Sequence, residues 1–136
     1  TCPWVQRWES RFVGIAKEYQ SKGFGFIAIN SNDQVAYPGD NLDAMKSRAS
    51  TYRYTFPYVV DDGSEMAVAF GAKRTPQIFL FDAEDKLVYQ GAIDDSPADA
   101  GKVESPYLKT ALDAVQAGSD IAMTETKAFG CTIKFQ

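Results

Sequence analysis

The chain opens on a helix with a cysteine and a proline at its head. Val5, Trp8, Phe12, Ile15, Ala16 and Tyr19 recur at helical spacing, while Arg7, Glu9, Arg11, Lys17 and Glu18 fall mostly on the other side. That pattern predicts an amphipathic helix with one buried face, closed near Gly23. Pro3 suits the first helical position and places Cys2 at the helix start. The unpaired N–H groups and partial positive charge there favour thiolate over thiol, and thiolate is the form that attacks disulfides and peroxides.

The remaining pattern alternates short strands with helices. Phe26 to Ile29 reads as a buried strand that stops at the turn cluster Asn30-Ser31-Asn32-Asp33. Asp40 or Asn41 suits the cap of a helix through Leu42, Met45, Ala49 and Tyr52. Phe56 to Val60 is a short extended piece ended by Asp61-Asp62-Gly63. Ser64 and Glu65 open a short helix that Gly71 closes. Thr75-Pro76 precedes a strand over 77–81, which a turn at 83–86 folds back onto a strand over 87–89. Ser105 caps a last helix with Pro106 at its first position, and Gly118 ends it. Residues 119–130 show no period, and Cys131 to Phe135 alternate weakly, as along a sheet edge. Strands separated by helices predict an α/β sandwich, and the closing hairpin makes its sheet mixed.

Totals narrow the chemistry. The 136 residues fit one domain, and the 45% hydrophobic content supplies a core without disulfide staples. Net charge is −4 with the signs interspersed, which offers no basic face for nucleic acid or an anionic membrane. No apolar run has the length of a membrane span. The chain contains no histidine, which excludes Ser-His-Asp and Cys-His sites and removes the commonest zinc ligand. Asp94, Asp95, Asp99 and Glu104 do not match a calcium loop and read as a solvated acidic loop, so no metal site is expected.

Several phrases resemble the peroxiredoxin-like proteins of the redoxin/AhpC-TSA group. They are the Cys2-Pro3 helix start, Ala28-Ile29-Asn30-Ser31-Asn32-Asp33, Phe56-Pro57-Tyr58, Thr75-Pro76 with Phe79-Leu80-Phe81-Asp82, Tyr89-Gln90-Gly91 with Asp94-Asp95-Ser96, and Gly130-Cys131-Thr132-Ile133-Lys134. The resemblance implies a thioredoxin-like three-layer sandwich with a mixed sheet, as a single redoxin domain over 1–136. Such domains carry a central strand before the active-site helix, and here it is absent. The domain is therefore expected to be N-terminally incomplete, with more chain before Thr1, because an empty slot in a sheet strands two rows of unpaired backbone groups. Cys2 is then either the second thiol of a Cys-x-x-Cys-Pro motif or itself the peroxide-attacking residue.

The resemblance also assigns a site. Cys2 is the redox thiol. Thr75-Pro76 is a cis-proline loop that faces it and offers backbone hydrogen bonds to an extended substrate. Arg74 stands beside that loop as a cation, and Trp4 covers the thiol. Cys131 is either a resolving thiol or an inert packed cysteine, and pairing with Cys2 requires Cα atoms within roughly 7 Å. The implied activity is thiol-disulfide exchange, with hydroperoxide reduction through a sulfenic acid as the alternative. A non-catalytic binding module with a structural Cys2 is the third reading. The implied partners are a protein disulfide or a hydroperoxide, with an external thiol reductant such as a thioredoxin; a homodimer is compatible. No cofactor beyond the thiols is expected. A cytoplasmic location is the default, although a targeting segment before Thr1 is compatible with it.

Overall fold

Pro3 starts an 18-residue helix, α1 (Pro3–Gln20), and the Gln6 N–H donates to the Cys2 carbonyl at 3.1 Å, so Cys2 is the cap. The structure is a computed structural model and describes residues 2–136. Two compact units divide it, one made of residues 9–73 and 132–136, the other of 2–8 and 74–131. Helix α1 contributes its first two turns to the second unit and the rest to the first.

In the first unit, strand β1 (Ala28–Asn30) pairs in parallel with β2 (Tyr58–Val60), Ala28 opposite Tyr58 and Asn30 opposite Val60. The crossover between them holds helix α2 (Leu42–Thr51), capped by Asn41, whose side chain accepts from the Ala44 N–H at 2.9 Å. A parallel pair needs such a crossover. Ile15, Ala16, Tyr19, Met45, Phe56, Ala67 and Ile133 are buried as this unit's core. Phe12 sets its ring edge-on to both Phe26 and Phe56, at 5.9 and 5.3 Å, a favoured aromatic geometry. Glu9, 4% exposed, receives two bonds from the Arg48 guanidinium, at 2.7 and 2.8 Å, and one from the Tyr54 hydroxyl. That fork ties α1 to α2. Helix α3 (Glu65–Phe70) follows β2, with Gly71 in the left-handed region as its cap.

In the second unit, β4 (Ile78–Phe81) and β5 (Leu87–Gly91) form an antiparallel hairpin whose register slips between Leu80 and Phe81. Helix α4 (Tyr107–Ala117) buries Leu108, Ala111 and Leu112, alongside Trp8, Tyr89, Ala92 and Ile93. Two short strands complete the set. Strand β3 (Arg74–Thr75) pairs with β6 (Cys131–Thr132); Arg74, Thr75 and Cys131 belong to this unit.

The elements follow the sequence pattern, with shifted ends. The expected strand over 26–29 lies at 28–30, and the Ser105 cap does not form: the cap of α4 is Pro106, with no side-chain bond. The strands form separate pairs, β1 with β2 and β4 with β5, and no described strand joins them. The fold is α/β and thioredoxin-like, with parallel and antiparallel pairing.

Candidate functional site

Cys2 is 9% exposed, and its Sγ donates a hydrogen bond to the Thr75 carbonyl at 3.2 Å. The Thr75–Pro76 peptide bond is cis. The thiol at the head of α1 and the loop entering β4 therefore meet directly, although 73 residues separate Cys2 from Thr75 in the chain. Both cysteines are present as thiols.

Trp4 is the second residue of α1. Its ring is 6.3 Å from Trp8, stacks on Phe129 at 6.4 Å and 18°, and carries the Arg7 guanidinium at 4.9 Å. Arg74 is exposed, and its backbone N–H donates to the Gln77 side-chain oxygen at 3.3 Å. Cys131 is half-buried at the start of β6, the strand laddered to Arg74–Thr75. The six residues expected at the site thus lie in one compact unit.

Trp8 is not merely apolar filling. Its Nε1–H donates to the Asp94 carboxylate at 2.9 Å, and the Ser96 N–H donates to the same oxygen at 2.9 Å. Asp94 is only 4% exposed, which corrects the expectation of a solvated loop at that position. The other acidic residues hold their own loop together: Asp99 accepts from the Gly101 N–H at 2.8 Å, and Asp95 from the Glu104 N–H at 3.1 Å. Among the described residues no group of acidic or sulfur side chains is arranged to hold a metal ion.

The sequence reading missed the stretch that leads to Cys131. Residues 124–126 lie along β5: the Gln90 N–H donates to the Thr124 carbonyl and the Thr126 N–H to the Gln90 carbonyl, each at 3.0 Å. The Thr126 hydroxyl accepts from the Ala92 N–H at 2.9 Å and lies 2.7 Å from the Tyr89 hydroxyl. Burial pushes the Tyr89 phenol up to about 12, against a smaller opposing pull from Thr126. The stretch then places Phe129 on Trp4 and Gly130 against Thr75, so close that a Cβ at Gly130 would overlap the Thr75 carbonyl. A glycine beside the cysteine was the only local signal of this close approach.

A helix headed by a cysteine whose Sγ donates to the Thr75 carbonyl, on an α/β frame, fits a thioredoxin-like scaffold. The Redoxin family model matches residues 2–107, and the chain belongs to the Redoxin family. It is also similar to a hypothetical protein from Sinorhizobium meliloti 1021, at 37% identity and a TM-score of 0.93, covering all of this chain and 75% of that one. An uncharacterized conserved protein from Geobacillus kaustophilus is similar at 38% identity and a TM-score of 0.93, again over all of this chain and 72% of that one. No curated protein matches the chain. No described helix is long and apolar enough to cross a membrane.

Proposed function

We propose that the protein is a thiol-disulfide oxidoreductase whose nucleophile is Cys2. The observation that carries this reading is Cys2 at the head of α1, with its Sγ 3.2 Å from the Thr75 carbonyl. Membership of a family of thiol-based redox proteins supports it. In the forward step the Cys2 thiolate attacks one sulfur of a substrate disulfide in line with the S–S bond. A mixed disulfide forms on Cys2, and the other sulfur leaves as a thiolate. A second thiol, from an external reductant, then attacks the mixed disulfide and regenerates Cys2.

Hydroperoxide reduction is the second reading, and the pairing of the Cys131 strand with Arg74–Thr75 favours it. There the Cys2 thiolate attacks the peroxide, an alcohol or water leaves, and a sulfenic acid remains on Cys2. The Cys131 thiol then attacks that sulfur, a disulfide forms and water leaves.

Mass analysis separates the readings. Incubation with bis(2-hydroxyethyl) disulfide is expected to give one mixed-disulfide adduct on Cys2 that Cys2→Ser lacks. Hydrogen peroxide with a dimedone-type probe is expected to label Cys2 only if the peroxidase reading holds. A Cys2 that forms neither product would leave a binding module with a structural thiol.

A further inference from the structure

The Arg74–Thr75 edge beside the thiol is taken by the chain itself. Residues 124–126 are laid along β5, Phe129 is stacked on Trp4, Gly130 is pressed on the Thr75 carbonyl, and Cys131 opens the strand paired with Arg74–Thr75. The same Thr75 carbonyl accepts from Cys2. An extended polypeptide docks on a sheet edge by adding a strand to it. On this edge the place beside Thr75 already holds residues 130 and 131. A small disulfide needs no edge, only a line of approach from its S–S bond to Cys2 Sγ.

Resting on the reading of Cys2 as the redox thiol, we propose that residues 129–131 are a specificity element, selecting low-molecular-weight disulfides over polypeptide disulfides. The chemistry is R–S–S–R with the Cys2 thiolate. One S–S bond breaks as the Cys2–S–S–R bond forms, and R–S⁻ leaves. A low-molecular-weight thiol is the reductant: its thiolate attacks the mixed disulfide and is itself oxidised into a new small disulfide as Cys2 is released.

The test reads access to Cys2 independently of turnover. Alkylation of Cys2 by iodoacetamide is compared with alkylation by a bromoacetylated extended hexapeptide, each rate normalised to a free cysteine peptide and read by mass on the fragment holding Cys2. The wild-type protein is expected to disfavour the peptide reagent. Gly130→Ala forces the strap away from Thr75, and the peptide rate is expected to rise about tenfold while the iodoacetamide rate changes less than about threefold. Phe129→Ala removes the stacking on Trp4 at a residue 38% exposed, and is expected to shift the ratio in the same direction should Gly130→Ala not fold. Equal normalised rates in the wild-type protein, or a ratio that the folded variants leave unchanged, would overturn the proposal. Failure of bis(2-hydroxyethyl) disulfide to form an adduct would instead reject the oxidoreductase reading, and the alkylation ratio would still decide the role of the strap.

Discussion

Gly91 shows how little room single positions leave around the site. Its φ is +140°, and a Cβ there would overlap both the side chain and the backbone of Thr126. Gly91→Ala is therefore expected to destabilise the protein by about 2 kcal/mol or more, because backbone strain and a clash with main chain add together. Thr126→Val keeps the shape but loses the hydroxyl that the Ala92 N–H and the Tyr89 hydroxyl share. A loss of about 1–3 kcal/mol is expected for the unsatisfied Ala92 N–H, while the Tyr89 hydroxyl keeps its bond to the Ala92 carbonyl. Urea midpoints for the two variants test both values. At this scale Cys2 was legible from a helix start, and the family resemblance pointed to Thr75 and Pro76. Asp94 was not legible as a buried group, since its burial depends on Trp8, 86 positions away in the chain.

The helices owe their placement to buried polar ties as well as to apolar faces. Trp8 anchors the first turns of α1 through Asp94, and Glu9 anchors the following turns through Arg48 and Tyr54. Arg48→Met would leave the Glu9 carboxylate buried without its counter-charge, and a cost of about 3–5 kcal/mol is expected from breaking one side of such a pair. Replacing both partners by apolar residues of similar volume is expected to recover most of that loss. The pair of variants, compared in denaturant titrations, separates the worth of the ion pair from the penalty of an orphaned charge. Element type and order were readable because apolar periodicity and glycine caps are local signals. The ends of β1 and the cap of α4 were not, because strand length depends on the pairing partner. Residues 124–126 carry no period at all; hydrogen bonds to β5 order them, and those bonds are set by contacts far away in the chain.

For the molecule as a whole, acid stability has an identifiable component. Asp61, 3% exposed, accepts from the Ser31 hydroxyl at 2.6 Å and from the Met66 and Ala67 N–H groups at 2.9 Å each. Burial alone would raise its pKa, but the bonds from Ser31, Met66, Ala67 and Glu65 outweigh it and hold the carboxyl below its ordinary value of 3.8. A carboxyl lowered on folding stabilises the native state fully above its unfolded pKa, and that contribution is lost as pH falls through the folded one. Asp61→Asn is therefore expected to be less stable at neutral pH and to lose less than the wild type on acidification below about pH 4. Melting temperatures recorded from pH 7 to pH 2 would show the two curves converging. The α/β frame was legible from the alternation of short apolar runs and amphipathic stretches. Its division between two units, with α1 contributing to both, was not, because nothing in a continuous helical repeat marks where its surroundings change.

The Thr75 carbonyl accepts from Cys2 only while that sulfur carries a hydrogen. Once that sulfur joins a disulfide or a sulfenic acid, the S–H donor is gone and the oxygen loses this partner. Carbonyl-carbon NMR of protein labelled with 13C at the threonine C=O should therefore report the oxidation state of Cys2. One threonine resonance is expected to move on oxidation and return on reduction, and to be fixed in Cys2→Ala. The site would then carry its own spectroscopic indicator, with no dye attached to the sulfur.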